Sequence, residues 1–597
     1  MLSTMRASFL KSTLLLLVLV AAPVWAAQIS RIEVHGLDDE MTANVREVLS
    51  LEDARDKDIS DRRLDYLLAV AEAETREALE PFGYYNPTIK ISTSGARDAL
   101  AIVIEVDKGA PVKVRDVRLA ITGDGDDDRY LREELDNFVP RKGDVLDHTL
   151  YEGSKAFITR RLAERGYFDA AFEAHTVEVT RAQNAADIDL RWNSGDRYNM
   201  GKVQFEQTPN EIIYPRLLEE LIYWNQGEYY HQGRIDRLRR SLSSLDYFST
   251  IDIEPHPDQA VENREVPITV KLTPAKRSVY TLGVSYGTLD GPGFNAGVER
   301  RYLNRRGHKA AAYLDYGKRR KTATLQYRIP AFKWRDGWYT IGTQYSDEQT
   351  DYIDSRRVEA VFSRSGEITR TLTATASLHF LRERWSYTLL DPSNPNKVYE
   401  YASLFYPQLR ADYVNVDDRL YPRRGWGLSV TARGGSVRGQ GTFGQLQARG
   451  QWFKGIGLSN RLIVRGELGQ SFHADTAVIP PSLRFYAGGD RSIRGYNWRE
   501  VGPRIIDAAG KKRYALGADN LVTSSVEFEH YFRPQWGVAA FVDSGSAFNG
   551  KHPDWRTGVG IGVRWRSPVG PVRIDIARGL DSPDSAFTLH FNIGAEL

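Results

Sequence analysis

The chain has 597 residues, no cysteine and a formal net charge of +2. The missing thiols exclude disulfides, thiol catalysis and cysteine-ligated metals, and the near-zero charge argues against a globally basic nucleic-acid binder. The length suits several domains.

Arg6 and Lys11 form a charged n-region, Leu14 to Ala22 a short apolar core, and Val24-Trp25-Ala26 sets small residues at −3 and −1 of a cut at Ala26/Ala27. Residues 1–26 are therefore expected to be an export signal. The apolar core falls short of the about 20 residues a spanning helix needs. No later stretch approaches that length, so the mature chain is not expected to cross a membrane by helices.

Three aromatic motifs then recur: Gly83-Tyr84-Tyr85, Gly166-Tyr167-Phe168 and Asp246-Tyr247-Phe248, with first residues 83 and then 80 positions apart. Such regularity marks an internal repeat. Each motif follows an amphipathic helix, with Leu64, Leu67, Leu68 and Ala71 in the first, Ala156, Phe157 and Leu162 in the second, and Ile235, Leu238 and Leu242 in the third. Short alternating strands open and close each unit, from Ile32-Glu33-Val34 to Ile268-Thr269-Val270. The unit reads β-α-α-β-β over 27–108, 109–195 and 196–275, and the aromatic pair is expected to pack beneath the second helix as core. This unit resembles the POTRA (polypeptide-transport-associated) domain in all three repeats. A small sheet with a free edge suits capture of an extended client strand, or the units act as spacers.

From about 276 to 597 the texture changes to alternating segments rich in Tyr, Phe, Trp and Gly, such as Val279–Tyr286, Thr322–Ile329 and Arg461–Leu468. About sixteen such segments, at about 20 residues per strand and turn, predict a transmembrane β-barrel. The fold class is α+β followed by all-β: three N-terminal modules and a C-terminal 16-stranded barrel. Asp290-Gly291-Pro292-Gly293, Asn304–Gly307 and Asp417–Gly425 read as breaker clusters between strands, with arginines facing headgroups or water. The last segment alternates Phe587, Leu589, Phe591 and Ile593 with Thr588, His590 and Asn592.

Between the strands lies a long loop containing Gly488, Gly489, Arg494, Gly495 and Tyr496. An arginine there is either bathed in water or folded into the lumen against a carboxylate, for which Glu527 and Asp543 are available. Phe485–Gly489 with Ile493–Tyr496, the F-x-D-x-G strand of Phe541, Asp543 and Gly545, and the block Gly558–Asp575 resemble, in order, the loop and strand signatures of the Omp85 superfamily. Three repeats set the chain apart from the better-known superfamily members with five POTRA domains.

The resemblance implies that Arg494 reaches into the lumen as a latch, pairing with Asp543 and with Glu527 as second carboxylate. It implies a location in the outer membrane of a Gram-negative bacterium, with the POTRA domains in the periplasm. The implied activity is insertion of β-barrel proteins such as autotransporters. Its implied partners are an inner-membrane-anchored TamB-like protein, unfolded outer-membrane clients and outer-membrane lipid, with no nucleic acid. Glycines weaken strands, so Gly283 and Gly287 in the first barrel strand, with Phe591 and Gly594 at the last, mark a poorly closed seam or merely relieve crowding. An opened seam exposes an unpaired edge for an incoming strand.

Catalysis is not expected. Gly283-Val284-Ser285-Tyr286-Gly287 matches G-x-S-x-G, but its serine sits mid-strand rather than on a strand-to-helix turn. The eleven histidines show no metal-ligand spacing, and no nucleotide motif occurs, so no cofactor or metal is expected. A two-partner secretion pore and an envelope lipid-transport subunit are the alternatives to assembly.

Overall fold

The computed structural model describes residues 27–260, 263–287, 291–333, 336–349, 353–387, 398–506, 512–567, 570–581 and 587–593. The export signal and Gly594 lie outside these residues. Two compact units divide the chain. One runs through Lys202 and includes Gln226–Gly233 and His256–Pro267; the other holds Val203–Asn225, Arg234–Pro255 and Ile268–Leu597.

Three small domains come first, each a small sheet packed by helices. In the first, Ala27–His35 pairs in parallel with Leu100–Asp107, which pairs antiparallel with Thr88–Ser94. In the second, Lys113–Thr122, Ala185–Asn193 and Ala171–Thr180 repeat that pattern. The third sheet orders Asn199–Gln207, Glu265–Pro274 and Phe248–Pro255 in the same way. Helices begin where side chains replace missing acceptors: Asp38 accepts from the Met41 amide, Ser60 from Arg63 and Asp147 from Leu150. The apolar faces then bury Leu67 and Ala71 in the first domain and Ile235, Leu238 and Leu242 in the third. In the second, Ala156 and Phe157 point outward, and Tyr151, Ile158 and Leu162 make the core instead. Arg160 and Arg161 cover the exposed Phe157 ring, which lets an aromatic sit at the surface.

The aromatic motifs serve as core of their own domains only in part: Tyr84 packs against the first core and Tyr167 lies in the second. Tyr85 packs in the core of the second domain and bonds His148 Nε2 through its hydroxyl at 2.7 Å. Phe168 meets Tyr198 and Tyr230 edge-on, with ring centroids 5.5 and 4.8 Å away. Tyr247 is buried, and its hydroxyl donates to the Gly307 carbonyl in the barrel half. The repeat therefore reaches forward into the next module each time. Its chain reversal requires a left-handed residue, with φ of 86° at Gly83, 91° at Gly166 and 56° at Asp246.

Sixteen antiparallel strands form the barrel sheet. Here they are named β1 (Ser278–Gly287), β2 (Gly291–Arg300), β3 (Lys309–Gly317), β4 (Arg320–Pro330), β5 (Trp338–Gln349), β6 (Ile353–Glu367), β7 (Leu372–Tyr387) and β8 (Glu400–Val416). The chain continues through β9 (Arg424–Val437), β10 (Gly441–Ile456), β11 (Asn460–His473), β12 (Asn520–Tyr531), β13 (Trp536–Phe548), β14 (Arg556–Ser567), β15 (Gly570–Gly579) and β16 (Thr588–Ile593). Gly291–Gly293 open β2 rather than a turn, with Gly291 paired to Gly287 of β1; Asp290 lies outside the described residues. Arg305, Arg306, Arg419 and Arg424 of the turns are exposed, and Arg423 donates to the Gly457 and Leu458 carbonyls of the adjacent turn, both at 2.7 Å. Outward positions such as Val526, Phe528, Val538 and Val542 are apolar and exposed, while the buried inward positions carry Ser525, Glu527 and Glu529 on β12 and Ala539, Phe541 and Asp543 on β13. Lipid on one side and a polar lumen on the other produce that alternation.

Candidate functional site

Residues 477–501 of the segment between β11 and β12 fold into the barrel. Ala477, Ile479 and Leu483 join Trp385, Leu404, Tyr406 and Val437 of β7, β8 and β9 in one apolar cluster. Phe485, Ala487, Ile493, Tyr496 and Val501 form a second cluster with Leu521 of β12 and Ala547 of β13. Ser482 donates to Glu383, and Gln445 Nε2 to the Leu483 carbonyl at 2.8 Å.

Arg494 lies at the centre, 2% exposed, beside Glu527 and Asp543, both fully buried. Its Nε and Nη2 bind the two Asp543 oxygens at 2.7 and 2.9 Å, and its own amide donates to Asp543 Oδ2 at 3.0 Å. Nη1 reaches Glu527 at 2.7 Å and Asp575 at 3.1 Å. The guanidinium carbon stands 3.3 Å from the Phe541 ring centroid, so the plane is held from its face as well as its edge. Only arginine offers this planar fork with a permanent charge.

The network extends further. Arg564 Nη2 binds Glu527 at 2.6 Å, its Nε binds Glu529 at 3.0 Å and its Nη1 binds Asp575 at 2.6 Å. Arg465 contacts Glu527 at 2.6 Å and Arg461 contacts Glu529 at 2.6 Å. Arg461, Arg465, Arg494 and Arg564 thus face Glu527, Glu529, Asp543 and Asp575, and the charges balance. Balance matters because an unpaired buried ion costs several kcal/mol.

Backbone space completes the site. Gly495 has φ of 92°, and a Cβ there would stand 2.5 Å from the Arg578 carbonyl carbon. The Tyr496 ring is buried against Gly579, where a Cβ would meet it at 2.7 Å. Gly488 and Gly489 also adopt positive φ, at 99° and 107°. Gly545 lies on β13 opposite Thr523, with no room for a side chain against the Val522 carbonyl.

The predicted latch residues and lumen carboxylates are therefore side by side. Asp575, Arg564, Glu529, Arg461 and Arg465 were not among the predicted site residues. Their signal was the inward parity of their strands: Glu527 and Glu529 alternate in step with Ser525, and Arg461 with Arg465.

The predicted seam residues lie apart from this hub. β1 and β16 are the two ends of the strand order, and among the described residues no ladder joins them. Leu282 and Val284 on β1 are 84% and 92% exposed, and Phe591 on β16 is 60% exposed. Gly283 faces Asn295 of β2, and Gly287 pairs with Gly291. Ser285 lies within β1, as its strand pattern requires. Among the described residues no group of acidic or histidine side chains is arranged to hold a metal ion.

Residues 303–597 match the Omp85 superfamily domain, residues 31–108 match POTRA domain TamA domain 1, and residues 113–194 match a POTRA family described as a surface antigen variable number repeat. The chain is similar to outer membrane protein assembly factor BamA of Nitratidesulfovibrio vulgaris, 23% identical over 393 residues, covering 62% of this chain and 48% of that protein. It therefore spans about half the length of that relative. It is also similar to BamA of Neisseria meningitidis serogroup B, 22% identical over 573 residues, covering 83% of this chain and 68% of that one. The crystal structure of BamA from Haemophilus ducreyi lacking POTRA domains 1-3 shares the fold, with a TM-score of 0.59 at 17% identity over 81% of this chain and 99% of that one. The chain thus carries an Omp85 superfamily domain, an outer-membrane β-barrel preceded by periplasmic POTRA domains.

Proposed function

We propose that the chain is a TamA-type assembly factor that inserts β-barrel proteins such as autotransporters into the outer membrane, acting with an inner-membrane-anchored TamB-like partner. The observation that carries this reading is that, among the described residues, the two end strands are not joined in a barrel whose lumen is occupied by an anchored loop. An unpaired strand edge is a template for another chain. A client strand added there would acquire backbone partners while its side chains enter lipid, where every amide must be satisfied. The TamA-type match of the first domain supports the finer assignment. The similarity to factors named for outer-membrane protein assembly supports the coarser one.

The lumen loop favours insertion over a secretion pore. Arg494 and the apolar clusters of its loop are bound to inward-facing wall residues, so an exported chain would have to displace them. No ATP-binding motif is present in the sequence, so the free energy comes from outside this chain or from the client's own folding.

The test uses the natural absence of cysteine. One cysteine on β1 and one on β16 form a reversible lock in vesicles containing the purified chain. Insertion of an autotransporter β-domain is expected to stop in the oxidised state and to return on reduction. Undiminished insertion with the seam locked would overturn the proposal.

A further inference from the structure

On β6 and β7 the outward face changes character along the strand. From the Glu367 end it is apolar, with Phe362, Ala360 and Val358 on β6 and Ala376, Leu378 and Phe380 on β7. It then becomes Arg356 on β6 and Arg382 and Arg384 on β7. Two-residue alternation keeps all of these on one side of the sheet, the side on which Val358, Phe362, Leu378 and Phe380 are exposed. β7 has 16 residues, more than the about 9–11 that cross hydrocarbon. Its last residues therefore stand beyond the apolar band. Antiparallel order puts that end of β7 opposite the turn of Gly307, which Tyr247 touches. With the POTRA domains in the periplasm, the arginines lie at the level of the outer-leaflet headgroups.

These cations are poorly compensated. Arg356 and Arg384 are direct cross-strand partners, and Arg382 is the next outward position along β7. Like charges directly opposite one another destabilise a sheet. Asp347 and Asp354 share this face. Asp347 pairs with Arg356 at 3.2 Å, and Asp354 accepts from the Tyr399 hydroxyl at 2.8 Å. Among the described residues no carboxylate lies within ion-pair distance of Arg382 or Arg384. The Arg384 guanidinium carbon stands 4.5 Å from the centroid of the Tyr399 ring, and its Nε is buried with no hydrogen-bond partner among the described residues. A buried donor on a charged group is costly to leave unpaired.

Directly below, the exposed Phe380 and Phe405 rings meet with centroids 4.9 Å apart. The arginines are not a rim repeated around the barrel. At the same end of β9 to β12 the outward positions are Ser436, Thr442, Gln470 and Asn520, all neutral.

We infer that Arg382 and Arg384, with Arg356 beside them, form an external site for a phosphate-bearing lipid of the outer leaflet. The guanidiniums take the headgroup phosphate, and the acyl chains lie along Phe380 and Phe405. Phosphate suits the place because each arginine fork donates two parallel N–H bonds to it. A lipid satisfies the unpaired Nε and separates the opposed charges of Arg356 and Arg384. The site is independent of the seam and of the assembly reading.

The test places the full chain in nanodiscs of phosphatidylcholine containing bisphosphorylated lipid A, and native mass spectrometry counts the lipid that stays bound. The unaltered chain is expected to retain lipid A. Arg382→Gln with Arg384→Gln should weaken retention about tenfold, with the heat-modified mobility of the folded barrel unchanged. Lipid A stripped of its phosphates should be retained by the unaltered chain no better than lipid A by the double variant. If the double variant does not fold, Arg382→Gln serves, because that side chain is exposed and makes no hydrogen bond among the described residues; a smaller loss in the same direction is expected. Undiminished retention by a folded variant would overturn the site, and so would equal retention of the dephosphorylated lipid. Displacement of lipid A by inorganic phosphate at equal concentration would show a site for the free anion and overturn the lipid assignment.

Discussion

The POTRA modules and the barrel solve opposite interior problems. Each POTRA core is apolar: Ile29, Leu67 and Ile104 in the first domain, Leu146, Leu162 and Trp192 in the second. Burial of such side chains supplies about 25 cal/mol per Å² without directional demands. The barrel faces lipid, so its apolar residues point outward, and its centre contains ions and hydrogen bonds. Such a centre gains less net stability, but it penalises a missing partner severely. The modules are thus held by area and the loop by pairing geometry.

That contrast breaks most visibly at Arg494. Arg494→Ala leaves Asp543 and Glu527 buried with fewer cations, and the loop is expected to lose about 3–5 kcal/mol of its hold. Limited proteolysis of segment 474–519 and the heat-modified mobility of the folded barrel check this. Arg494→Lys keeps the charge without the fork and should restore only part of the protection. Gly495→Ala demands both a left-handed φ and space that the Arg578 backbone already fills, so it should cost roughly 1–3 kcal/mol by the same readouts.

The modular half predicts smaller, displaced effects. Tyr85→Phe removes one hydrogen bond to His148, worth about 1 kcal/mol. Because Tyr85 packs in the second domain's core, amide exchange should quicken in 113–193 more than in 27–107, although the mutation lies in the first repeat. Phe157→Ser should change stability by less than about 0.5 kcal/mol, since the ring is on the surface under two arginines. A large loss at Phe157 would put it back in the core.

Much of the architecture was legible because period and punctuation report local geometry. The sixteen strands follow from two-residue alternation, and the three modules from spacing of the aromatic motifs. Parity along β12 also carried the hub, since Glu527 has to face inward beside Val526 and Phe528 that face lipid. What alternation does not contain is tertiary reach. Nothing local distinguishes Tyr85 packing under its own helix from Tyr85 entering the next domain. Phe157 fits the helical period of a core face, yet the turn of the helix against its sheet puts Ile158 there instead. Asp575 joins Arg494 across 81 residues, a contact set by barrel curvature rather than by neighbouring residues.

The central claim is that Arg494 and Asp543 act as one unit holding the loop in the lumen. A double-mutant cycle of Arg494→Ala and Asp543→Asn, read as the free energy of loop release by pulse proteolysis, tests it most directly. Strong coupling is predicted, with the double variant no worse than the worse single one, because each change already abolishes the pair. Additivity within about 0.5 kcal/mol would mean that the two side chains stabilise the loop independently, and would contradict the account.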